Sequence, residues 1–165
     1  MQGGYFSYGL VATLAIALVF AAVTDLRRRQ IDNWLNAAIA LGAPLFWLAS
    51  GLTLGGAGIQ LAVAFAAFAV LAGLFALGAM GGGDVKLLTA LALWIEPLWF
   101  GRLLIGMALI GGLLTLILGA WHVMRRRRER LAIPYGVAIS SAGLWVLELQ
   151  FMPALSGAAQ AGSAG

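Results

Sequence analysis

Cysteine is absent from the 165-residue chain, and histidine occurs once, at His122. The lack of cysteine excludes disulfides, thiolate zinc sites and a cysteine nucleophile, and one histidine excludes a multi-histidine metal site within a single chain. We therefore expect no metal or other cofactor. The side chains left for chemistry are carboxylates, hydroxyls, lysine and arginine.

Charge is also scarce, because 10% of the residues are charged whereas 62% are hydrophobic. A soluble domain carries roughly 25% charged residues, so this composition indicates an integral membrane protein. It excludes a secreted disulfide scaffold, a disordered chain and a DNA-binding module. Since each span needs about 20 residues, no length remains for a second folded domain. We predict one membrane domain over residues 1–155 and a Gly/Ala/Ser-rich disordered tail over residues 156–165.

The apolar stretches predict an all-α fold, a polytopic membrane helix bundle with about six transmembrane helices. The predicted spans cover residues 6–23, 34–50, 59–80, 85–100, 103–124 and 133–151. The fourth span is interrupted by Glu96 and Pro97, which predicts a helix that is tilted, kinked or partly re-entrant. A bundle of five spans is the alternative.

Basic residues in the short loops indicate the orientation of the bundle, because such residues accumulate on the cytoplasmic side. With six spans, one side holds Arg27, Arg28, Arg29, Lys86, Arg125, Arg126, Arg127, Arg128 and Arg130, and the other holds Arg102. The first side is thus predicted to be cytoplasmic, with both termini on the other side. The arginines are explained as topology anchors beside anionic lipid, so we expect lipid rather than nucleic acid as their partner.

Three of the six acidic residues, Asp25, Asp32 and Asp84, fall on the predicted cytoplasmic side. Ionisable groups at membrane depth are costly and tend to face a cavity or each other. Asp25 and Asp84 are predicted at the same depth, where two aspartates sharing a proton could act as an aspartic-protease dyad. The alternatives are structural roles, as a counter-ion for the arginines and a helix N-cap, or ion passage in a small transporter or pilus-assembly subunit.

The ends of the predicted helices suggest different roles for the two carboxyl groups. Asp84 lies at the start of a predicted helix, where the helix dipole and Lys86 favour the ionised form. Asp25 lies at the end of one, where the dipole disfavours the ionised form. On this basis Asp84 is expected to be the base and Asp25 the acid, although a coupled pair titrates as a unit. The glycines at 81–83 either let an extended peptide approach the backbone or form only a flexible turn.

Three segments resemble the type IV prepilin peptidases. The GxGD motif of that family, in its form GxGDxKL, is matched by residues 81–87 (GGGDVKL). The family's first aspartate segment, an Asp followed by basic residues and Ile-Pro-Asn, resembles residues 24–33 (TDLRRRQIDN), and its third block resembles residues 133–139 (IPYGVAI). One departure is Asp32, which stands where the family has proline and adds a second candidate for the dyad.

The resemblance implies an intramembrane aspartic endopeptidase of the bacterial inner membrane that removes the leader of prepilins or pseudopilins at the cytoplasmic face. The catalytic pair would be Asp25 and Asp84. The small size looks like that of Flp/Tad-type members, without the cytoplasmic insert of larger relatives, so N-methyltransferase activity is not expected. Nothing in the sequence indicates the oligomeric state. The residues expected to bind substrate or support the site are Asn33, Gly81, Gly82, Gly83, Lys86, Pro134, Tyr135 and Gly136.

Overall fold

A computed structural model of the protein describes residues 4–124 and 134–163, with side chains described for residues 4–122, 124 and 134–151. Within these residues the secondary structure is helical, which confirms the predicted all-α fold. The helices are α1 (Tyr5–Arg28), α2 (Asn33–Ala49), α3 (Leu54–Ala76), α4 (Gly82–Ala92), α5 (Pro97–Met124) and α6 (Tyr135–Ser163). The predicted arginine anchors at 125–128 and 130, and residue 133 of the third motif segment, lie outside the described residues.

Three helices in the described part of the chain are long and apolar enough to cross a membrane: α1, α3 and residues 97–122 of α5. Many of their large apolar side chains point outward, as Ile16, Phe65 and Leu109 do. Such exposure is unfavourable in water but suits a hydrocarbon surrounding, in which helices satisfy their own backbone. The predicted membrane helix bundle is therefore confirmed. The 17 residues of α2 are apolar but shorter than these spans.

The fourth helix is shorter than the apolar pattern predicts. The sequence predicts a span over residues 85–100, whereas α4 covers Gly82–Ala92 and α5 begins at Pro97. A proline at the first position of a helix loses no hydrogen bond and has a suitable φ, so Pro97 starts a new helix instead of continuing the old one. With 11 residues, α4 is about 16 Å long, which is too short to cross a membrane alone.

Despite its length, α4 lies at the centre of the bundle. It packs against α2, α3 and α6 and also touches α5, while α6 in turn packs against α1 and α5. Six of its residues are buried: Val85, Leu87, Leu88, Ala90, Leu91 and Ala92. Because neighbouring helices enclose α4, its first turn has a fixed position relative to α2, α3 and α6.

The end of α4 is satisfied by side chains from other helices. The last carbonyls of a helix have no partner within it, and an unpaired carbonyl is costly in an apolar surrounding. Trp47 Nε1 donates to the Leu93 carbonyl at 2.8 Å, and Gln60 Nε2 donates to the Ile95 carbonyl at 3.0 Å. Trp94 then donates to the Ile39 carbonyl of α2 at 2.8 Å. These bonds hold the turn between α4 and α5 inside the protein.

The C-terminal segment differs from the composition-based expectation of a disordered tail. The structure continues α6 as a helix to Ser163. Alanine is the strongest helix former, and the segment contains several alanines, so a helical continuation is physically reasonable. The domain boundary at residue 155 stays a prediction, and residues 164–165 lie outside the described residues.

Candidate active site

Asp25 lies in the last turn of α1 and is buried, with 5% of its surface exposed. The helix ends directly afterwards, because Arg29 adopts a left-handed conformation with φ 53° and its N–H donates to the Asp25 carbonyl. The backbone N–H groups of Gly136 and Val137, in the first turn of α6, are directed at the Asp25 carboxyl group. Its Oδ2 atom has no hydrogen-bond partner among the described residues.

Gly136 makes the close approach of α6 to Asp25 possible. A Cβ atom at this position would lie 2.8 Å from both Cγ and Oδ2 of Asp25, and 2.9 Å from Cδ1 of Ile31. Distances below 3.0 Å to packed atoms are not tolerated, so the backbone of α6 can reach the carboxyl group only because residue 136 has no side chain. The structure thus places the predicted supporting residue Gly136 directly beside Asp25.

Asp84 is the third residue of α4, whose N-cap is Gly81. Its carboxyl group turns back and accepts a hydrogen bond from the Gly81 N–H, which is one half of a capping box. A Cβ at Gly81 would lie 2.9 Å from Oδ2 of Asp84. Two alternatives are therefore corrected: Asp84 is not the N-cap, and Gly82 and Gly83 belong to the helix instead of forming a flexible turn.

Asp25 and Asp84 line one cavity of about 510 Å³, between the end of α1, the α1–α2 connection and the first turn of α4. Asp84 lies outside the three membrane-spanning helices, and burial raises its pKa from 3.8 to about 6. This value includes the negative charge of Asp25, which also raises the pKa, and the Gly81 N–H, which lowers it. The two carboxyl groups therefore lie in one cavity and within range of each other's charge.

The glycines of the motif bring α4 close to its neighbours. A Cβ at Gly83 would lie 3.4 Å from Cβ of Ile31, and a Cβ at Gly82 would lie 3.3 Å from Cε2 of Phe75. The Gly83 carbonyl also accepts a 3.5 Å hydrogen bond from Nδ2 of Asn36. The first turn of α4 is therefore packed against the α1–α2 connection and against α3.

Lys86 and Asn33 form a second link between α4 and α2. Lys86 Nζ donates to Asn33 Oδ1 at 2.7 Å, and both side chains are exposed. Of the two residues, Asn33 lines the cavity that contains Asp25 and Asp84. A second cavity, of about 350 Å³ between α2, α3 and α4, has both Lys86 and Asn33 in its wall. The predicted supporting residues Asn33 and Lys86 therefore lie together beside the two aspartates.

Tyr135 and Pro134 lie at the start of α6. Tyr135 lines the cavity of the two aspartates, and its hydroxyl lies 3.4 Å from Oγ1 of Thr115 on α5. Pro134 is buried, and its carbonyl accepts the Val137 N–H at 3.2 Å. Both residues therefore help to hold the first turn of α6 in place close to the site. Neither has a described hydrogen bond to the carboxyl group of Asp25 or Asp84.

Asp32 and Arg29 also line this cavity. Asp32 is the N-cap of α2 and makes no side-chain capping bond, so its carboxylate faces the cavity from the loop. Among the described residues no group of three or more His, Cys, Asp or Glu side chains is arranged to hold a metal ion. Two carboxyl groups in one cavity can perform acid–base hydrolysis with water alone.

Residues 12–121 match the model of the type IV leader peptidase family. The chain belongs to this family. The match covers Asp25, Asp84 and all the residues between them, so the peptidase family and the shared cavity concern the same part of the chain. No curated protein and no solved structure matches this type IV leader peptidase family member.

Two residues of the site were missed by the sequence interpretation. Ile31 contacts the positions of both Gly83 and Gly136, and Asn36 binds the Gly83 carbonyl. Asn36 follows Asn33 by three residues in α2, which places both on one face of a helix, so this spacing was an available signal. Ile31 stands at the isoleucine of the Ile-Pro-Asn pattern that residues 24–33 resemble, so the resemblance offered a signal that the list of site residues did not use.

Proposed function

We propose that the protein is an intramembrane aspartic endopeptidase that removes the leader peptide of type IV prepilins or pseudopilins, with Asp25 and Asp84 as its catalytic pair. The observation that carries the proposal is the single cavity lined by both aspartates, in which the charge of Asp25 acts on Asp84. Membership in the type IV leader peptidase family supports the peptidase activity.

The reaction needs a water molecule and two carboxyl groups of different protonation state. The carboxylate takes a proton from water, and the water oxygen bonds to the peptide carbonyl carbon while the other carboxyl group protonates the carbonyl oxygen. Breaking the C–N bond then requires a proton on the leaving amine. The cavity volume of about 510 Å³ accommodates a short extended peptide beside Gly81, which offers backbone without a side chain.

The proposed site of cleavage is the cytoplasmic face of the inner membrane. Supporting this, Arg27, Arg28 and Arg29 end α1 next to Asp25, and Lys86 follows Asp84 by two residues and contacts Asn33. Basic residues accumulate on the cytoplasmic side of membrane proteins. The two aspartates therefore share the end of the bundle that carries the described basic side chains, apart from Arg102 on α5.

We also propose that this protein cleaves without methylating the new N-terminus. The connection between α1 and α2 consists of residues 29–32 only. A cytoplasmic insert of the kind expected in methylating relatives has no place in so short a turn. The proposed substrate has a basic leader, for which the carboxylate of Asp32 in the cavity wall is a suitable partner.

The test is co-expression with a prepilin and a gel assay for removal of its leader. Asp25→Asn and Asp84→Asn should each lower cleavage by about 10²–10⁴-fold, the usual contribution of an acid–base group. Glu96→Gln is the matched control, because this exposed carboxyl group lies outside the cavity and the substitution has the same chemistry. Cleavage that persists in both aspartate variants would contradict the proposal and leave a transporter or assembly role.

A further inference from the structure

A groove on the side of the bundle lies next to the cavity of the two aspartates, between α2, α3 and α4. It has a volume of about 350 Å³ and is open to the surroundings of the helices, and we call it the side groove. It runs from Asn33 to Ala40 along α2 and from Lys86 to Leu93 along α4, which is about 10 Å in each helix. Its Asn33–Lys86 end lies where the membrane-spanning helix α1 ends, because residues 29–32 alone join α1 to α2.

Lys86 places a positive charge at this end of the side groove. It is the only lysine in the chain, and its exposed ammonium group donates to the neutral oxygen Oδ1 of Asn33 at 2.7 Å. No carboxylate among the described residues forms an ion pair with Lys86. An ammonium group has three N–H donors, so two remain after the bond to Asn33. The charge of Lys86 is therefore free to bind an anionic partner.

The rest of the side groove has an apolar surface. Its apolar wall residues are Ala37, Ala40, Phe68, Ala90 and Leu93. The two other polar residues in the wall, Asn36 and Thr89, bond to the backbone of the protein. The Thr89 hydroxyl donates to the Val85 carbonyl at 2.8 Å. Asn36 is 5% exposed and donates to the Gly83 carbonyl. An occupant that matches the side groove therefore combines an anionic head with an apolar body.

We propose that the side groove is a binding site for an anionic phospholipid, with one acyl chain along the groove and the phosphate on the ammonium group of Lys86. Basic residues in pockets between membrane helices bind the head groups of anionic lipids. The side groove places such a residue at the end of an apolar surface that faces out of the bundle. This binding goes beyond the proposed peptidase activity and does not depend on it.

A peptide fits the side groove less well than an acyl chain does. A helix is about 10–12 Å across, so a 10 Å length of helix would need roughly 800 Å³ or more, over twice the volume of the groove. An extended peptide is narrower, but its N–H and C=O groups would face the apolar wall without partners, which is costly away from water. An acyl chain is thin and has no polar group along its length.

The charge of Lys86 should make the site selective for the lipid head group. Phosphatidylglycerol has a net negative charge and phosphatidylcholine has none, and both are available with the same acyl chains. One cationic residue beside anionic lipid contributes about fivefold to the affinity. Arg28 carries the same charge at an exposed position at the end of α1, but it does not line the side groove. The two residues therefore separate a specific site from general attraction to anionic lipid.

The test is the affinity of the purified full chain for phosphatidylglycerol and phosphatidylcholine in a non-ionic detergent, with bound lipid counted by native mass spectrometry. We expect the unsubstituted protein to bind phosphatidylglycerol about fivefold more tightly than phosphatidylcholine. Lys86→Gln should lose this preference, whereas the matched control Arg28→Gln should keep it. Unchanged preference in Lys86→Gln, or an equal loss in Arg28→Gln, would overturn the proposal.

The place of the acyl chain is tested by filling the side groove. Ala40 lines the groove and is half-buried, whereas Ala66 on α3 is exposed and does not line it. Ala40→Phe should weaken the binding of both lipids, because the ring takes the place of the chain, and Ala66→Phe should leave it unchanged. Undiminished binding in Ala40→Phe would overturn the proposal. Should Ala40→Phe not fold, Ala37→Leu, at an exposed position of the same groove, replaces it.

Thermal unfolding in detergent gives a second measurement, because a ligand of the folded state raises its melting temperature. Phosphatidylglycerol should raise the melting temperature of the unsubstituted protein by about 2–4 °C and that of Lys86→Gln by less. An equal rise in both proteins would overturn the role of Lys86.

The alternative occupant of the side groove is the apolar segment of a substrate. If Ala40→Phe stops the protein from retaining a prepilin while lipid binding is unchanged, the groove is a peptide site and the proposal is overturned. The lipid measurements need no substrate, so they are independent of the proposed function. Selective binding of phosphatidylglycerol without any prepilin cleavage would sink the peptidase proposal and support the lipid site.

Discussion

At the scale of single residues, Asp84 has a structural role at the start of α4 and a proposed catalytic role, and its surroundings act on its pKa in opposite directions. As the third residue of α4 it accepts the Gly81 N–H, which favours the carboxylate, while burial and Asp25 raise its pKa to about 6. A carboxyl group whose pKa is raised by folding stabilises the folded state most at low pH. That contribution is lost as the pH rises from about 4 to about 6.

Asp84→Asn should therefore stabilise the protein at neutral pH, because the amide cannot ionise inside the cavity. We expect the melting temperature of the variant to exceed that of the unsubstituted protein above about pH 7 and the difference to shrink below about pH 4. Thermal unfolding in detergent, followed by tryptophan fluorescence across this range, measures the effect. A difference independent of pH would contradict the raised pKa, and Glu96→Gln serves as the exposed control.

Gly81 and Gly83 should differ in their tolerance of alanine. A Cβ at Gly81 would lie 2.9 Å from Oδ2 of Asp84, whereas a Cβ at Gly83 would lie 3.4 Å from Ile31. Gly81→Ala must move the carboxyl group and should lower prepilin cleavage by about 10²-fold, with a smaller loss in Gly83→Ala. The gel assay for leader removal compares the two, and equal losses would show that displacement of Asp84 is not the cause.

Asp25 and Asp84 could be selected from the sequence because charge is scarce in this chain, so that each carboxyl group is conspicuous. Counting spans predicted that both lie on the same side of the membrane and at the same depth, where they could meet. The resemblance included Gly136 among the supporting residues, but the close approach of the α6 backbone to Asp25 could not be predicted in the same way, because every residue but proline has a backbone N–H. Which amides face a carboxyl group depends on helix packing, which a single sequence does not specify.

At the scale of helices, α4 shows that hydropathy alone can predict the wrong length for a helix. The apolar residues continue past Ala92 to Ile95, so the pattern predicts a longer span, but Pro97 begins the next helix. The hydrogen bonds that allow an early end come from Trp47 and Gln60 on other helices. Polar side chains within apolar stretches were the available sign of this, since a buried amide needs a partner.

Gln60→Leu should destabilise the bundle without touching the site. The substitution removes the donor to the Ile95 carbonyl, 3.0 Å away, and an unsatisfied buried carbonyl costs about 1–3 kcal/mol. Unfolding of the purified protein by denaturant measures the change. Leu61→Met, at the neighbouring exposed position of α3, is the control, and equal stability of the two variants would contradict the capping role of Gln60.

At the scale of the whole molecule, the orientation of the bundle in the membrane remains a prediction, and the lack of cysteine makes it directly testable. Single cysteines can be introduced without background at Ala79, between α3 and α4, and at Gly55, where nothing lies within 4 Å of an added Cβ. We expect an impermeant thiol reagent applied outside the inner membrane to label Gly55→Cys and not Ala79→Cys. Labelling in the opposite pattern would contradict the proposed cytoplasmic site.

The α1–α2 connection contains Ile31, an apolar residue whose side chain lies between the first turns of α4 and α6. Ile31 lies against the first turn of α4 at Gly83 and against the first turn of α6 at Gly136. It therefore acts as a spacer, and its size sets the separation between the carboxyl group carried by α4 and the amides supplied by α6. Exchanging Ile31 for smaller or larger aliphatic residues offers a way to adjust the electrostatic coupling between Asp25 and Asp84 in small steps.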